Sequence, residues 1–242
     1  MNIYIIRFCF FIFLMFSYSS TYAQLDLLKK VSKSADKLIN PIDNSDKDIS
    51  NGLTEALKIS VNKSCHEASS FGGFLDNKKI KISFPDEIIR VKKACLKLGL
   101  NDLILNFENK LNKTAEHVSV KASAIILTAV YDLKFTDALE ILNGHDSSAT
   151  RYLRNKSSKN LYQSFYPIVQ KEIKNTGVNH LLDDIIKRHN QIPFIKKADF
   201  DLSDYITIKT IDGIFYLIAE KEGEIRNNPD ARVTGLLKKI FK

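Results

Sequence analysis

The stretch from Ser203 to Phe241 constrains this chain most, because its apolar residues repeat at helical spacing over two successive segments with a polar joint between them. In the first segment Ile208, Ile211, Phe215, Ile218 and Ile225 share one arc at about 100° per residue, widened by Ile214 and Leu217, so this face is expected to be core. Lys209, Asp212, Tyr216 and Glu220 project as one polar line on the other side, where solvent is the ordinary environment. Glu222 breaks the pattern. The same wheel sets it between Ile211 and Phe215 on the apolar side, with Arg226 one turn later, and a carboxylate there needs a partner.

After Arg226 a second helix is expected to start: Asn228 suits an N-cap, Pro229 the first helical position, and Asp230 the positive end of the helix dipole. It is expected to bury Val233, Leu236, Leu237 and Ile240, to end in lysines, and to carry Arg232 in its first turn. Glu222, Arg226 and Arg232 should then converge. Such a group is either a buried ion-pair clip that fixes the angle between two helices or a site that holds an anionic ligand. Asp212 and Glu220 stand beside them as acid–base candidates on the same helix.

At the other end, residues 1–23 carry one charge, Arg7, then an apolar run from Phe8 to Phe16 and small polar residues ending in Thr21-Tyr22-Ala23. The run is less than half of the roughly 20 residues a spanning helix needs, so it reads as a secretory signal peptide cleaved before Gln24. A periplasmic or secreted protein with no transmembrane segment after cleavage is expected. Residues 24–44 read as an amphipathic arm and linker, with Leu27, Leu28, Val31, Ala35 and Leu38 at helical spacing ahead of Pro41, and residues 45–242 as the helical domain. In an oxidising compartment Cys65 and Cys95 can form a disulfide or remain two buried thiols. The formal net charge of +8 comes from Lys and Arg scattered among Asp and Glu, without a basic stretch interleaved with aromatics, which argues against nucleic acid as a partner.

Between these ends the helical period recurs. Asp46 or Asp48 caps a helix running to about Ser69, Pro85 and Asp86 open one that closes at Leu98-Gly99, and Asn101 to Leu133 is one long helix or two broken near His117 to Val120. Thr136 caps a short helix closed by Asn143-Gly144, Asp146 or Ser147 starts a long one, and Pro167 within it predicts a kink or break. A last helix before the C-terminal pair covers Val178 to Asn190. Only Ile80, Ile82 and Phe84, alternating with Lys81 and Ser83, suggest an extended segment, packed over helices. The expectation is an all-α, bundle-like single domain of several helices with at most one short extended segment.

Chemical signatures are sparse. The chain has no nucleophile elbow, zinc-protease helix, phosphate-binding glycine loop, paired Cys-x-x-Cys or EF-hand loop, and no cofactor or metal is expected. Cys65 and His66 point about 100° apart on a helix, and His180 with Asp184 reads as a solvated pair. Asn143, Asp146 and Tyr152 form a second polar candidate whose simpler role is capping, with Asp146 accepting amide hydrogens of the helix that follows.

Taken together, Gly72-Gly73-Phe74-Leu75, Ile82-Ser83-Phe84-Pro85, Phe107-Glu108 with Asn112, Ala115 and Glu116, Asp137 to Gly144, Ala149-Thr150-Arg151-Tyr152, Phe165 with Pro167-Ile168-Val169, and Asp204-Tyr205 through Leu237 resemble the secreted bacterial domain of unknown function 4197 family. The resemblance implies a mostly helical exported protein and no assigned activity; Cys65 and Cys95 lie outside its pattern. Two functions follow. One is a non-catalytic binding or interaction module whose helical body presents a groove to an envelope protein or ligand. The other is an enzyme of hydrolase or lyase type acting on an anionic substrate through the Glu/Arg cluster.

Overall fold

The described residues of this computed structural model, 44–190 and 201–241, form nine α-helices and two short 3₁₀ turns. In chain order these are α1 (Asn44–Ser69), the turn Asp86–Ile88, α2 (Ile89–Lys97), α3 (Asn101–Ser119), α4 (Ala122–Tyr131), α5 (Phe135–Leu142), α6 (Ser148–Thr176), α7 (Val178–Asn190), α8 (Leu202–Asn227), the turn Pro229–Ala231, and α9 (Gly235–Ile240). The fold is all-α, and no β-strand occurs among the described residues. The signal-peptide and arm readings lie outside these residues. The compact unit begins at Ile49.

Helix α8 is the centre of the packing because it is apolar on more than one side. Ile206, Ile211, Ile214, Phe215, Leu217, Ile218 and Ile225 are all buried, which leaves only a narrow strip for solvent and places the helix inside the bundle. Thr207 and Thr210 are buried on it as well, and their hydroxyls donate to the carbonyls of Ser203 and Ile206, so neither is left unpaired. Its most extensive partner is α6, and α3 packs against both. The α2 and α7 helices pair with each other and contact α3, while α4 and α5 lie on α6.

Caps and breakers set most boundaries. The break between α3 and α4 falls at Val120 and Lys121, within the expected window, and α2 gives way at Leu98-Gly99 with Gly99 at φ 74°, a conformation that favours glycine. Pro167 does not divide α6, which runs through it as a single helix. Helix α5 begins at Phe135 after Lys134, so Thr136 is not its cap.

The C-terminal pair differs from expectation in a specific way. Asn228 does cap Pro229, accepting from the Asp230 amide at 3.0 Å, but only one 3₁₀ turn follows. The chain then opens, and α9 starts at Gly235, with the Thr234 hydroxyl accepting from the Leu237 amide at 3.2 Å. Val233 falls in the opening and is 61% exposed instead of buried. Ile208, at the edge of its arc beside Asp212, is 43% exposed.

The alternating segment behaves as expected: Ile80, Ile82 and Phe84 are buried, Ser83 is exposed, and the chain runs extended over the helices. What pairs with its backbone is a side chain. The Asn112 amide on α3 accepts from the Ile82 N–H at 2.8 Å and donates to the Ile82 carbonyl at 3.0 Å, taking the place of a neighbouring strand on one edge. Four residues along α3, Glu116 accepts from the amides of Phe74 and Leu75 at 3.1 and 3.2 Å. These two clasps hold the loop between α1 and α2 onto the body of the protein.

Candidate functional site

Five charged residues on the C-terminal helices were candidates, and the structure divides them between two places. Glu222, Arg226 and Arg232 meet at the end of α8. Asp212 lines a groove ten residues, roughly 15 Å of helix, before Glu222, and Glu220 pairs with Lys79 at the edge of that groove.

At the junction Glu222 is buried and caps a helix from the side. One carboxylate oxygen accepts from the Ala149 amide at 3.0 Å and from Arg226, and the other accepts from the Thr150 amide at 2.8 Å and the Thr150 hydroxyl at 2.7 Å. Ala149 and Thr150 lie in the first turn of α6, whose own N-cap, Ser147, makes no side-chain cap. A negative charge at that end is favoured by the helix dipole and by the unpaired amides. Asp146, the expected cap, instead accepts from the Asn227 side chain at 3.1 Å, because Glu222 already occupies the amides it would have used.

Arg226 extends the chain of contacts. Its guanidinium lies 3.0 Å from Glu222 and donates to the carbonyls of Ile141 at 2.8 Å and Leu142 at 3.3 Å, the last carbonyls of α5. Its face stacks over Phe241, 5.5 Å from the ring centre. Arg232 caps α8 itself, donating to the carbonyls of Ile225 at 3.0 Å and Arg226 at 2.7 Å. Three helix ends are thus closed by three side chains. The side chains of Glu222 and Arg226 are 6% and 8% exposed, and the adjoining hollow, about 10 Å³, has room for at most one water. A carboxylate accepts about four hydrogen bonds, and here all are taken, so Glu222 has no lone pair for a substrate proton.

Asn143 and Tyr152 lie beside this junction. Asn143 is the C-cap residue of α5, and the Tyr152 hydroxyl donates to Asp137 at 3.2 Å. Burial and the neighbouring Asp137 carboxylate hold the Tyr152 hydroxyl above its usual pKa. Both residues therefore serve the α5–α6 corner.

A groove of about 500 Å³ lies between the extended segment and α8. One wall is Lys79 to Phe84 with Asp86, the other Tyr205, Lys209, Asp212 and Tyr216, so three lysines share the groove with two aspartates. The second wall is the polar line of α8, expected to face solvent. The two elements approach closely because residue 213 is glycine: a Cβ there would meet the Phe74 ring at 2.6 Å and the Ile80 side chain at 3.2 Å. Lys79 pairs with Glu220, which raises the lysine pKa, and Arg154 of α6 pairs with Asp212. Both pairs sit at the surface, with Asp212 40% exposed. Lys81 and Lys209 have no carboxylate partner among the described residues; Lys209 lies 5.7 Å over the Tyr205 ring, and the Tyr205 hydroxyl donates to the Ser83 carbonyl at 3.0 Å.

Cys65 and Cys95 are both buried, and no disulfide joins them in the structure. Burial pushes Cys65 up to about 12, so it is an inert packing residue. Among the described residues no group of three or more His, Cys, Asp or Glu could hold a metal ion, and no helix is long and apolar enough to cross a membrane.

The fold and these contacts define a helical domain clamped by interlocking caps, with an open groove lined by lysines, aspartates and tyrosines. The sequence model of the family described as Protein of unknown function (DUF4197) matches residues 43–242, and the chain belongs to that family. Neither the curated proteins nor the solved structures contain a match to it. Asn112, Glu116, Ala149 and Thr150, among the residues on which the resemblance to this family was drawn, make the clasps and the cap described above. Asn112 and Glu116 had no role assigned from the residues themselves. On the helical wheel both lie off one side of the arc of Phe107, Leu111, Ala115 and Val118, about 60° and 100° past its edge, so no periodicity marks them as buried; only the overlying loop does.

Proposed function

We propose that this chain is an exported, non-catalytic binding module of the cell envelope, and that it takes an anionic partner in the groove between Lys79–Phe84 and α8. The observation that carries the reading is the contrast in saturation: the junction spends every polar atom of Glu222 on the fold, whereas the groove presents Lys81, Lys209 and two tyrosines to solvent. A groove of this volume is within the ordinary range for ligand sites, about 300–1,000 Å³. Export rests on the signal-peptide reading of residues 1–23, and the first mature residue would be Gln24.

The test is a thermal-shift screen of the exported protein against acidic peptides, anionic lipids and cell-wall fragments. Wild type is compared with the Lys81→Ala, Lys209→Ala double variant and with Arg232→Ala. A ligand whose shift persists in Arg232→Ala but is lost in the double variant supports the groove. A shift that depends on Arg232 and ignores the lysines would overturn the reading.

A further inference from the structure

The groove carries a more specific recognition element than its charge. Along an extended chain the N–H and C=O of successive residues point to opposite edges. Ile82 turns both groups toward α3, where Asn112 satisfies them. Ser83 turns toward α8, since its carbonyl accepts from Tyr205. The Lys81 carbonyl and the Ser83 amide, which flank Ile82 on this open edge, have no hydrogen-bond partner among the described residues. One carbonyl acceptor and one amide donor, separated by a single residue, form the fork that a parallel strand uses: the incoming residue opposite Ile82 donates its N–H to the first and accepts from the second.

Resting on the groove as the binding surface, we propose that its ligand is a peptide segment in extended conformation, which pairs in parallel with Lys81–Ser83 through this fork and carries acidic side chains toward Lys81 and Lys209. The edge is short at both ends. The Lys81 amide is already spent on the Asn77 carbonyl at 2.8 Å, and beyond Ser83 the Tyr205 hydroxyl and Pro85, which lacks an N–H, close it. The slot therefore grips the backbone of one residue. Side-chain contacts with Tyr205, Tyr216 and the lysines supply the rest of the recognition. A grip this short favours a short linear segment over sheet-like stacking of copies, which needs a long open edge.

The experiment is fluorescence-anisotropy titration of the full exported chain with a short labelled peptide alternating valine and glutamate. It is run beside the same peptide N-methylated at its central backbone amides, a version with lysine for glutamate, and labelled dextran sulfate. The alternating peptide is expected to bind, and N-methylation or Ser83→Pro to weaken it about tenfold or more by removing one hydrogen bond of the fork. Lys209→Glu is expected to weaken it similarly. Circular dichroism checks that Ser83→Pro folds; if it does not, the N-methylated peptide alone decides. Equal binding of the N-methylated peptide overturns strand pairing. Binding of dextran sulfate but not of peptide, lost in Lys209→Glu, overturns the peptide and keeps the groove. Binding that ignores Lys209→Glu, or none at all, overturns both.

Discussion

The junction at Glu222 and the groove at Asp212 lie on one helix and hold the same kinds of side chain, yet their polar groups do opposite things. At the junction a carboxylate and two guanidinium groups are consumed by helix ends: the start of α6, the end of α5 and the end of α8. At the groove, the pairs Lys79–Glu220 and Arg154–Asp212 sit at the surface, and the segment beside them has a carbonyl and an amide without a partner among the described residues. The difference teaches that the charge content of a cluster says little about its role. Saturation and burial decide, because a polar atom already matched inside the protein has nothing to offer a ligand.

The contrast breaks most directly at its two carboxylates. Glu222→Ala should lower the unfolding free energy by about 3–5 kcal/mol, since it strands Arg226 and the first-turn amides of α6 in the interior, whereas Asp212→Ala should cost less than about 1 kcal/mol. Urea denaturation of both variants measures this, and equal losses would put the two sites in one class. Gly213→Ala comes next, at about 1–3 kcal/mol, because the added methyl must displace Phe74 and Ile80 from α8. It should also distort the groove.

Asn112→Ala removes the pairing of Ile82 and should cost about 1–3 kcal/mol. Hydrogen exchange sharpens the reading: the Ile82 amide should lose protection while the amides of Ala149 and Thr150 keep theirs. Uniform loss across the domain would mean that the segment and the helical body unfold as one unit.

The smallest effect concerns the other end of α8, where Tyr162 donates to Asp204 at 2.7 Å and Tyr166 to Asp201 at 3.1 Å. The Tyr162 hydroxyl is raised from 10.0 to about 12, first by its hydrogen bond to Asp204 and then by burial. A raised folded-state pKa contributes stability that is complete below pH 10 and is lost as pH rises toward 12. The wild-type Tm should therefore fall over that window, and Tyr162→Phe should flatten part of the fall. An unchanged alkaline profile would detach the tyrosine from the stability of the α8 start.

Much of the fold was legible locally. The period of apolar residues and the breakers located most helices, the extended segment and the break after α3, and the wheel marked Glu222 as buried with Arg226 one turn away. Each of those features depends on neighbours within a turn or two, which is the range that sequence pattern reports. The C-terminal pair was legible only in outline, because Asn228 and Pro229 start a turn whether or not a helix continues, and the guanidinium of Arg232 was drawn back onto α8.

What the sequence by itself determined is an all-α domain with a long apolar helix near its C-terminus and a buried carboxylate on that helix. The tertiary structure alone decided which amides that carboxylate would cap, since Ala149 and Thr150 are 73 and 72 residues away. It also decided that Asn112 and Glu116 would be buried and that the polar line of α8 would become the wall of a groove. These outcomes depend on which segment comes to lie over a given helix face. The faces themselves carry no local periodicity that names their covering, so only long-range packing could settle them.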